Sequence, residues 1–328
     1  MSGSHCRLAQ QCSKMCAAGQ AGSGTKELLP SQPAGPYHYD IRKTVIPSLI
    51  PLARPPLRLP RELIVATISI PRSLRRLSAE QVQHYADDGF LILRNVFAPE
   101  EIARLEREAG ALWWRKDLID KDNIRCRWKD HVETGECTFE CFDPVIDIGP
   151  ECARFARDPR ILEALGDLYG DTAHLFKDKL IFKPPGTKGY AMHQDFIAWQ
   201  DFPRSFITVL IAIDPAGADN GATEVFPGYH KQGSLVPEDG MYHDLPEELV
   251  DLSTGVKLDL NVGDVAMFGA FTPHRSAPNL TDRWRRQLYL SYTSDADGGD
   301  LRDKHYDYFQ KWLVERYAEY GKTGVWFR

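Results

Sequence analysis

No stretch of this 328-residue sequence is long and apolar enough to cross a bilayer. The longest mainly apolar runs, Phe206 to Ile213 and Leu63 to Ile70, hold eight residues each, against the roughly 20 that a spanning helix needs. The N-terminus lacks the unbroken apolar core of a secretory signal. There is no basic excess: 40 Lys and Arg stand against 46 Asp and Glu, a net charge of −6 that favours no nucleic-acid partner. Cysteine pairs at CxxC spacing are missing, and the seven cysteines form an odd set that reads as thiols in a reducing compartment. A P-loop, a dinucleotide fingerprint, a Ser-His-Asp pattern and internal repeats are all lacking. These absences lead us to expect a cytoplasmic protein, monomer or homodimer, whose partner is a small molecule and neither nucleic acid nor a membrane.

What is present divides the chain in two. Residues 1–72 form a Gly-, Ser- and Ala-rich leader followed by a Pro-punctuated arm, expected to be flexible. Residues 73–328 read as one domain. Ser78 with Gln81 is a capping box for a helix to about Asp88, and Phe90 to Leu93 a short strand. A second helix is expected over Pro99 to Leu112, and a third from Glu151 to Tyr169. Between them, residues 113–147 carry Trp113, Trp114 and Trp128 with many charges and few regular signals, and read as a lid insertion. After Gly170 come short β-rich runs separated mostly by Pro and Gly turns: His174 to Lys183, Ser205 to Ile213, Ala222 to Phe226, Gly263 to Phe268 and Arg286 to Thr293. A terminal helix is expected from Asp300 to Tyr320. Helices first and then antiparallel strands predict a mainly β fold with flanking helices and a double-stranded β-helix, or jelly-roll, core.

Two histidines and a carboxylate on one face of a metal are the ligand set of oxygen-activating iron(II) enzymes. A His-x-Asp pair supplies two of them from one strand, because residues i and i+2 point the same way. The pattern occurs at His38-Tyr39-Asp40, His193-Gln194-Asp195 and His305-Tyr306-Asp307, with His131-Val132-Glu133 as a variant. The first lies in the Pro-rich arm. His305 sits in a helical pattern, where i and i+2 diverge by about 200°. His131 falls in the insertion. Only His193 follows a strand and a tight turn, Lys183-Pro184-Pro185-Gly186. The third ligand expected is His274, after the Gly263 to Gly269 strand. Arg285, eleven residues on, offers a bidentate fork for the far carboxylate of a dicarboxylate cosubstrate, and Ser276 adds a hydroxyl donor. Two other readings remain open at this level: a zinc hydrolase with the same three ligands, and a jelly-roll ligand-binding protein without catalysis.

Taken in order, these motifs resemble the phytanoyl-CoA dioxygenase-like family of iron(II)- and 2-oxoglutarate-dependent oxygenases. The likeness runs from about Leu77 to Thr293. It includes Asp88-Gly89-Phe90-Leu91-Ile92-Leu93, the Lys-Pro-Pro-Gly approach to His193, and Asn220-Gly221 with Pro227-Gly228-Tyr229-His230-Lys231, where Tyr229 replaces the family's usual Ser. The resemblance implies that His193, Asp195 and His274 bind iron, that Arg285 and Ser276 bind the 5-carboxylate of 2-oxoglutarate, and that O2 is the cosubstrate. It further favours hydroxylation, since halogenating relatives replace the carboxylate that Asp195 retains; the alternatives are desaturation, ring closure or epimerisation by the same cofactor chemistry, or an acyl-CoA substrate. Thr208 and Lys129 are further candidates for the 2-oxoglutarate pocket. Trp199, Asp201 and Trp128 are candidates for substrate contact. Lys177, Lys179 and Lys183 share one strand face, which means either an anionic ligand or, more commonly, an exposed edge bearing lysines. The expected substrate is a small polar metabolite, of natural-product or phosphonate type.

Overall fold

In a computed structural model the described residues are 73–199 and 202–328. The leader and Pro-rich arm, residues 1–72, lie outside them. Among the described residues eleven strands form two antiparallel sheets. The larger has the order β1 (Phe90–Leu93), β9 (Val265–Gly269), β6 (Ile207–Ala212), β11 (Gln287–Ser294), β4 (Ala173–Ile181), β3 (Cys137–Phe142), β2 (Cys126–Asp130). The smaller has the order β5 (Tyr190–His193), β10 (His274–Ser276), β7 (Thr223–Val225), β8 (Val256–Lys257). This is the jelly-roll core expected from the helices-then-strands order.

Strand β6 shows how residue type sets the layers. All six of its residues are buried. Ile207, Val209 and Ile211 pack outward into one core with helices α1 (Ala79–Asp88), α2 (Pro99–Trp113), α3 (Pro150–Ala156) and α4 (Pro159–Tyr169). Leu210 and Ala212 face the other way, into a second core with Ala222 and Val225 near the small sheet. A strand covered on both faces loses the apolar–polar alternation of a half-exposed one, as its sequence does. Each side chain of this kind stabilises by about 1.5–3 kcal/mol through burial. Helix α5 (Arg302–Glu319) packs separately, through Tyr306, Phe309 and Leu313 against Ile124 and Trp199.

Two expectations change here. The helix expected over Glu151 to Tyr169 is broken in two, because Pro159 carries no N–H to continue α3 while Asp158 caps α4 through the Arg160 N–H. The stretch 113–147 is also more regular than its sequence suggests. Strands β2 and β3 pair with each other, and Cys141 and Phe142 of β3 pair with Ile181 and Leu180 of β4. The insertion therefore extends the large sheet instead of forming an irregular lid.

Candidate metal centre and cavity

Antiparallel pairing of β5 with β10 sets His193 directly opposite His274. Side chains of such partners lie on the same face, and the two imidazole rings stand 4.2 Å apart. Asp195 follows β5, and its Oδ1 lies 3.7 Å from both His193 Nε2 and His274 Nε2. One ligand atom from each of the three residues lies within 4.8 Å of the others, and no second cluster of this kind occurs among the described residues. Both histidines are oriented alike. His193 Nδ1–H donates to the Ala191 carbonyl at 2.8 Å and His274 Nδ1–H to the Thr272 carbonyl at 3.0 Å. A carbonyl only accepts, so Nδ1 is the donor in each ring and Nε2 is the atom turned toward the shared point.

Electrostatics hold the set ready for a cation. Burial, reinforced by His274, pushes the His193 imidazole down, so it stays neutral. Burial alone would raise Asp195, but the two imidazoles, Lys179 and the Thr208 hydroxyl outweigh it and hold the carboxylate ionised. Two imidazoles and one carboxylate on one side of a point fit a divalent transition metal with open positions opposite. Thr208 Oγ1 donates to Asp195 Oδ2 at 2.9 Å. Its place is thus behind the metal carboxylate, where it fixes the carboxylate's orientation.

The triad lies in a cavity of about 210 Å3 between the sheets. The large sheet contributes Lys177, Lys179 and Ile181 from β4 and Tyr289 and Ser291 from β11, while the small sheet contributes Tyr190, Thr223 and Ser276. Beyond the triad, Trp199, Phe202, Phe206, His305, Phe309 and Trp312 form an aromatic wall. Arg285 is only 1% exposed and lies behind Tyr289, bonded to the Gln287 Oε1 and 3.4 Å from the Tyr289 hydroxyl.

The other candidates fall as follows. Trp199 is in the wall, its indole N–H held by the Gly240 carbonyl at 2.8 Å. Trp128 is not among the lining residues; it packs edge-on against Phe139. Asp201 lies outside the described residues. Lys129 Nζ sits 3.6 Å over the Tyr190 ring and 3.4 Å from the Gly189 carbonyl, beside the cavity and not in its lining. The lysines of β4 do not lie on an exposed edge: β4 pairs with β11 along its length and with β3 at Leu180 and Ile181, the Asp178 N–H between the lysines donates to the Tyr306 hydroxyl, and Lys177 and Lys179 face the cavity. Lys183, two residues beyond β4, is fully buried instead. His305 went unrecognised because its His-x-Asp pattern is helical. That pattern indeed cannot chelate, yet α5 turns the ring into the wall, where stacking on Phe309 (5.7 Å, 10°) holds it.

The His305 ring has a consequence for stability. Burial pushes it down to about 3, with Lys177 acting the same way and Asp143 opposing. Between pH 6.5 and 3 the unfolded chain binds a proton that the folded chain refuses. Stability therefore rises with pH across that window, by up to about 1.4 kcal/mol per unit from this group. Denaturant titrations of metal-free protein at pH 5 and pH 7 should show this loss at pH 5, shared with His193, and a smaller one in His305→Phe. Equal pH slopes in the two proteins would contradict it.

A model of the family described as phytanoyl-CoA dioxygenase (PhyH) matches residues 85–287. The chain belongs to the phytanoyl-CoA dioxygenase family. It is 28% identical over 241 residues to the 2-aminoethylphosphonate dioxygenase of uncultured bacterium HF130_AEPn_1, covering 70% of this chain and 86% of that one. Over 148 residues it is 38% identical to the methylphosphonate hydroxylase of Gimesia maris, covering 45% of this chain and 55% of the relative. Among solved structures it resembles EctD from S. alaskensis with 2-oxoglutarate and 5-hydroxyectoine, at 22% identity and a TM-score of 0.57, over 70% of this chain and 81% of that one. As a member of the family the chain is a 2-oxoglutarate-dependent non-haem iron dioxygenase, and its cofactors are iron(II) and 2-oxoglutarate. The zinc-hydrolase and non-catalytic readings are thereby set aside.

Proposed function

We propose that this dioxygenase hydroxylates an unactivated C–H of a small polar metabolite bearing an anionic group of the phosphonate type, with release of succinate and CO2. The observation that carries the reading is the pair of lysines, Lys177 and Lys179, on the cavity wall beside the triad. An ammonium on a cavity wall attracts an anionic ligand, since its field is less screened there than at an open surface; Lys177 also lies 3.8 Å from the Asp143 carboxylate. The aromatic wall from Trp199 to Trp312 suits a small ligand whose orientation is fixed at one charged end. Relatives named for 2-aminoethylphosphonate and methylphosphonate point to the same chemistry. Among the described residues no helix is long and apolar enough to cross a membrane.

His193, Asp195 and His274 would hold the metal, and Arg285 with Ser276 the far carboxylate of 2-oxoglutarate. Iron, 2-oxoglutarate and O2 together supply the oxidant that removes hydrogen from carbon. The chain's own part is placement. Thr208 fixes Asp195, the Ala191 and Thr272 carbonyls fix the two imidazoles, and Lys177 and Lys179 hold the substrate so that one C–H faces the metal. The phenyl and indole rings exclude water from that volume.

The test is substrate-stimulated succinate formation with iron(II), 2-oxoglutarate and O2, across methylphosphonate, 2-aminoethylphosphonate and uncharged and cationic metabolites of similar size. Phosphonates are expected to stimulate turnover and gain a hydroxyl. Stimulation by uncharged or cationic compounds alone would overturn the reading.

A further inference from the structure

Behind Ser276 lies a buried lysine to which no motif assigned a role. Lys183 is 0% and Arg285 1% exposed, and neither reaches a carboxylate within 4.0 Å among the described residues. Two basic side chains buried without an ion pair are costly to keep charged unless an anion joins them. The polar groups around them are also left incomplete, since Arg285 Nε and Gln287 Nε2 are buried with no hydrogen-bond partner.

Lys183 is held there firmly. Its backbone is in the left-handed region, φ +38°, which a side chain with Cβ adopts rarely. Its carbonyl accepts from Asn279 Nδ2 at 3.0 Å and from the Arg285 N–H at 3.3 Å. Gly221, at φ +73°, passes directly over the side chain; a Cβ there would lie 2.9 Å from Lys183 Nζ and 2.2 Å from the Ala277 carbonyl. The Asn-Gly turn thus leaves room for the ammonium.

The hydrogen bonding at Ser276 is decisive. Its Oγ accepts from Lys183 Nζ at 2.9 Å and from the Tyr190 N–H at 3.2 Å. With both lone pairs occupied, the hydroxyl proton is available only for donation. Ser276 lines the cavity, so the donor serves an acceptor there.

We infer that Lys183 is a positioning residue for the distal carboxylate of 2-oxoglutarate: it locks the Ser276 hydroxyl as a donor and, with Arg285, brings two basic side chains to the subsite. The inference rests on the dioxygenase reading of this cavity. It accounts for two buried basic side chains without an ion pair and gives a definite role to a lysine that in sequence is placed only on a strand face leading into the Lys-Pro-Pro-Gly turn.

The experiment measures binding of 2-oxoglutarate and of 2-oxovalerate by calorimetry to the full chain loaded with redox-inert Mn(II). 2-Oxovalerate has the same five carbons and 2-oxo acid end but no distal carboxylate. Wild type should prefer 2-oxoglutarate. In Lys183→Met, 2-oxoglutarate binding should weaken about ten- to a hundredfold, as for a lost hydrogen bond to a charged group, while 2-oxovalerate binding stays unchanged. Lys183→Arg should recover part of the loss, and Ser276→Ala should add little to Lys183→Met, since the two act as one unit. Equal weakening of both ligands would show a merely structural lysine and overturn the inference, as would unchanged 2-oxoglutarate binding. If Lys183→Met does not fold, the Ser276→Ala variant alone must show the same selective loss, and its failure to do so also overturns it. A wild type that binds neither ligand, or both alike, instead contradicts the underlying 2-oxoglutarate reading.

Discussion

His274→Ala is expected to lower substrate-stimulated succinate formation to background while the protein still unfolds in one cooperative transition. Three candidate ligand atoms meet at the centre, two of them 3.7 Å from Asp195 Oδ1, and His274 comes from a strand far away in sequence. Removing it leaves His193 and Asp195, a pair on one short segment that no longer surrounds the metal. Groups that only orient ligands cost about 10- to 100-fold when removed, so a lost ligand should cost more. Thr208→Val, which deletes the 2.9 Å bond to Asp195 Oδ2, provides that milder comparison. The His274 ring also packs 4.6 Å from the Phe268 ring, so the alanine leaves a gap that lowers the melting temperature without changing the strand pairing. Succinate formation in His274→Ala within threefold of wild type would contradict the assignment.

The second large effect is expected in Arg285→Leu, and it differs with and without 2-oxoglutarate. The guanidinium is buried without an ion pair among the described residues. Replacing a buried, uncompensated charge by an apolar side chain of similar reach is neutral or stabilising, so the ligand-free variant should melt at or above the wild-type temperature. With 2-oxoglutarate the order reverses. Losing a charge-assisted fork should weaken the cosubstrate at least about tenfold, and the rise in melting temperature that ligand brings to wild type should largely vanish. Arg285→Lys should recover only part, because an ammonium lacks the planar two-point geometry. Melting curves with and without 2-oxoglutarate decide it: an undiminished ligand-induced rise in Arg285→Leu would place the far carboxylate elsewhere.

The sequence showed the centre more clearly than its surroundings. Local context separated His193 from three other His-x-acid patterns, because a strand and a tight turn precede it, and the pairing of His193 with His274 follows from that choice. Lys183 was hidden for a physical reason. A lysine at the start of a Lys-Pro-Pro-Gly turn has every local mark of a surface residue, and only the packing of Gly221 and Ser276 around it reveals its burial. Lys177 and Lys179 were ambiguous in the same way, since alternation along β4 gives a face but not what the face meets. The strands of the insertion escaped notice because β2, Cys-Arg-Trp-Lys-Asp, has no apolar alternation and takes its regularity from pairing with β3. His305 was excluded as a ligand by helix geometry, yet the same geometry gives it a place in the cavity wall.

The central claim is that His193, Asp195 and His274 together hold one ferrous ion that also binds 2-oxoglutarate. Mixing protein, iron(II) and 2-oxoglutarate without oxygen tests this directly, because a 2-oxo acid chelated to ferrous ion produces a weak visible charge-transfer band. The account predicts that band at one iron per chain in wild type and its loss in His274→Ala. An absent band in wild type, or the same band in both proteins, would contradict it.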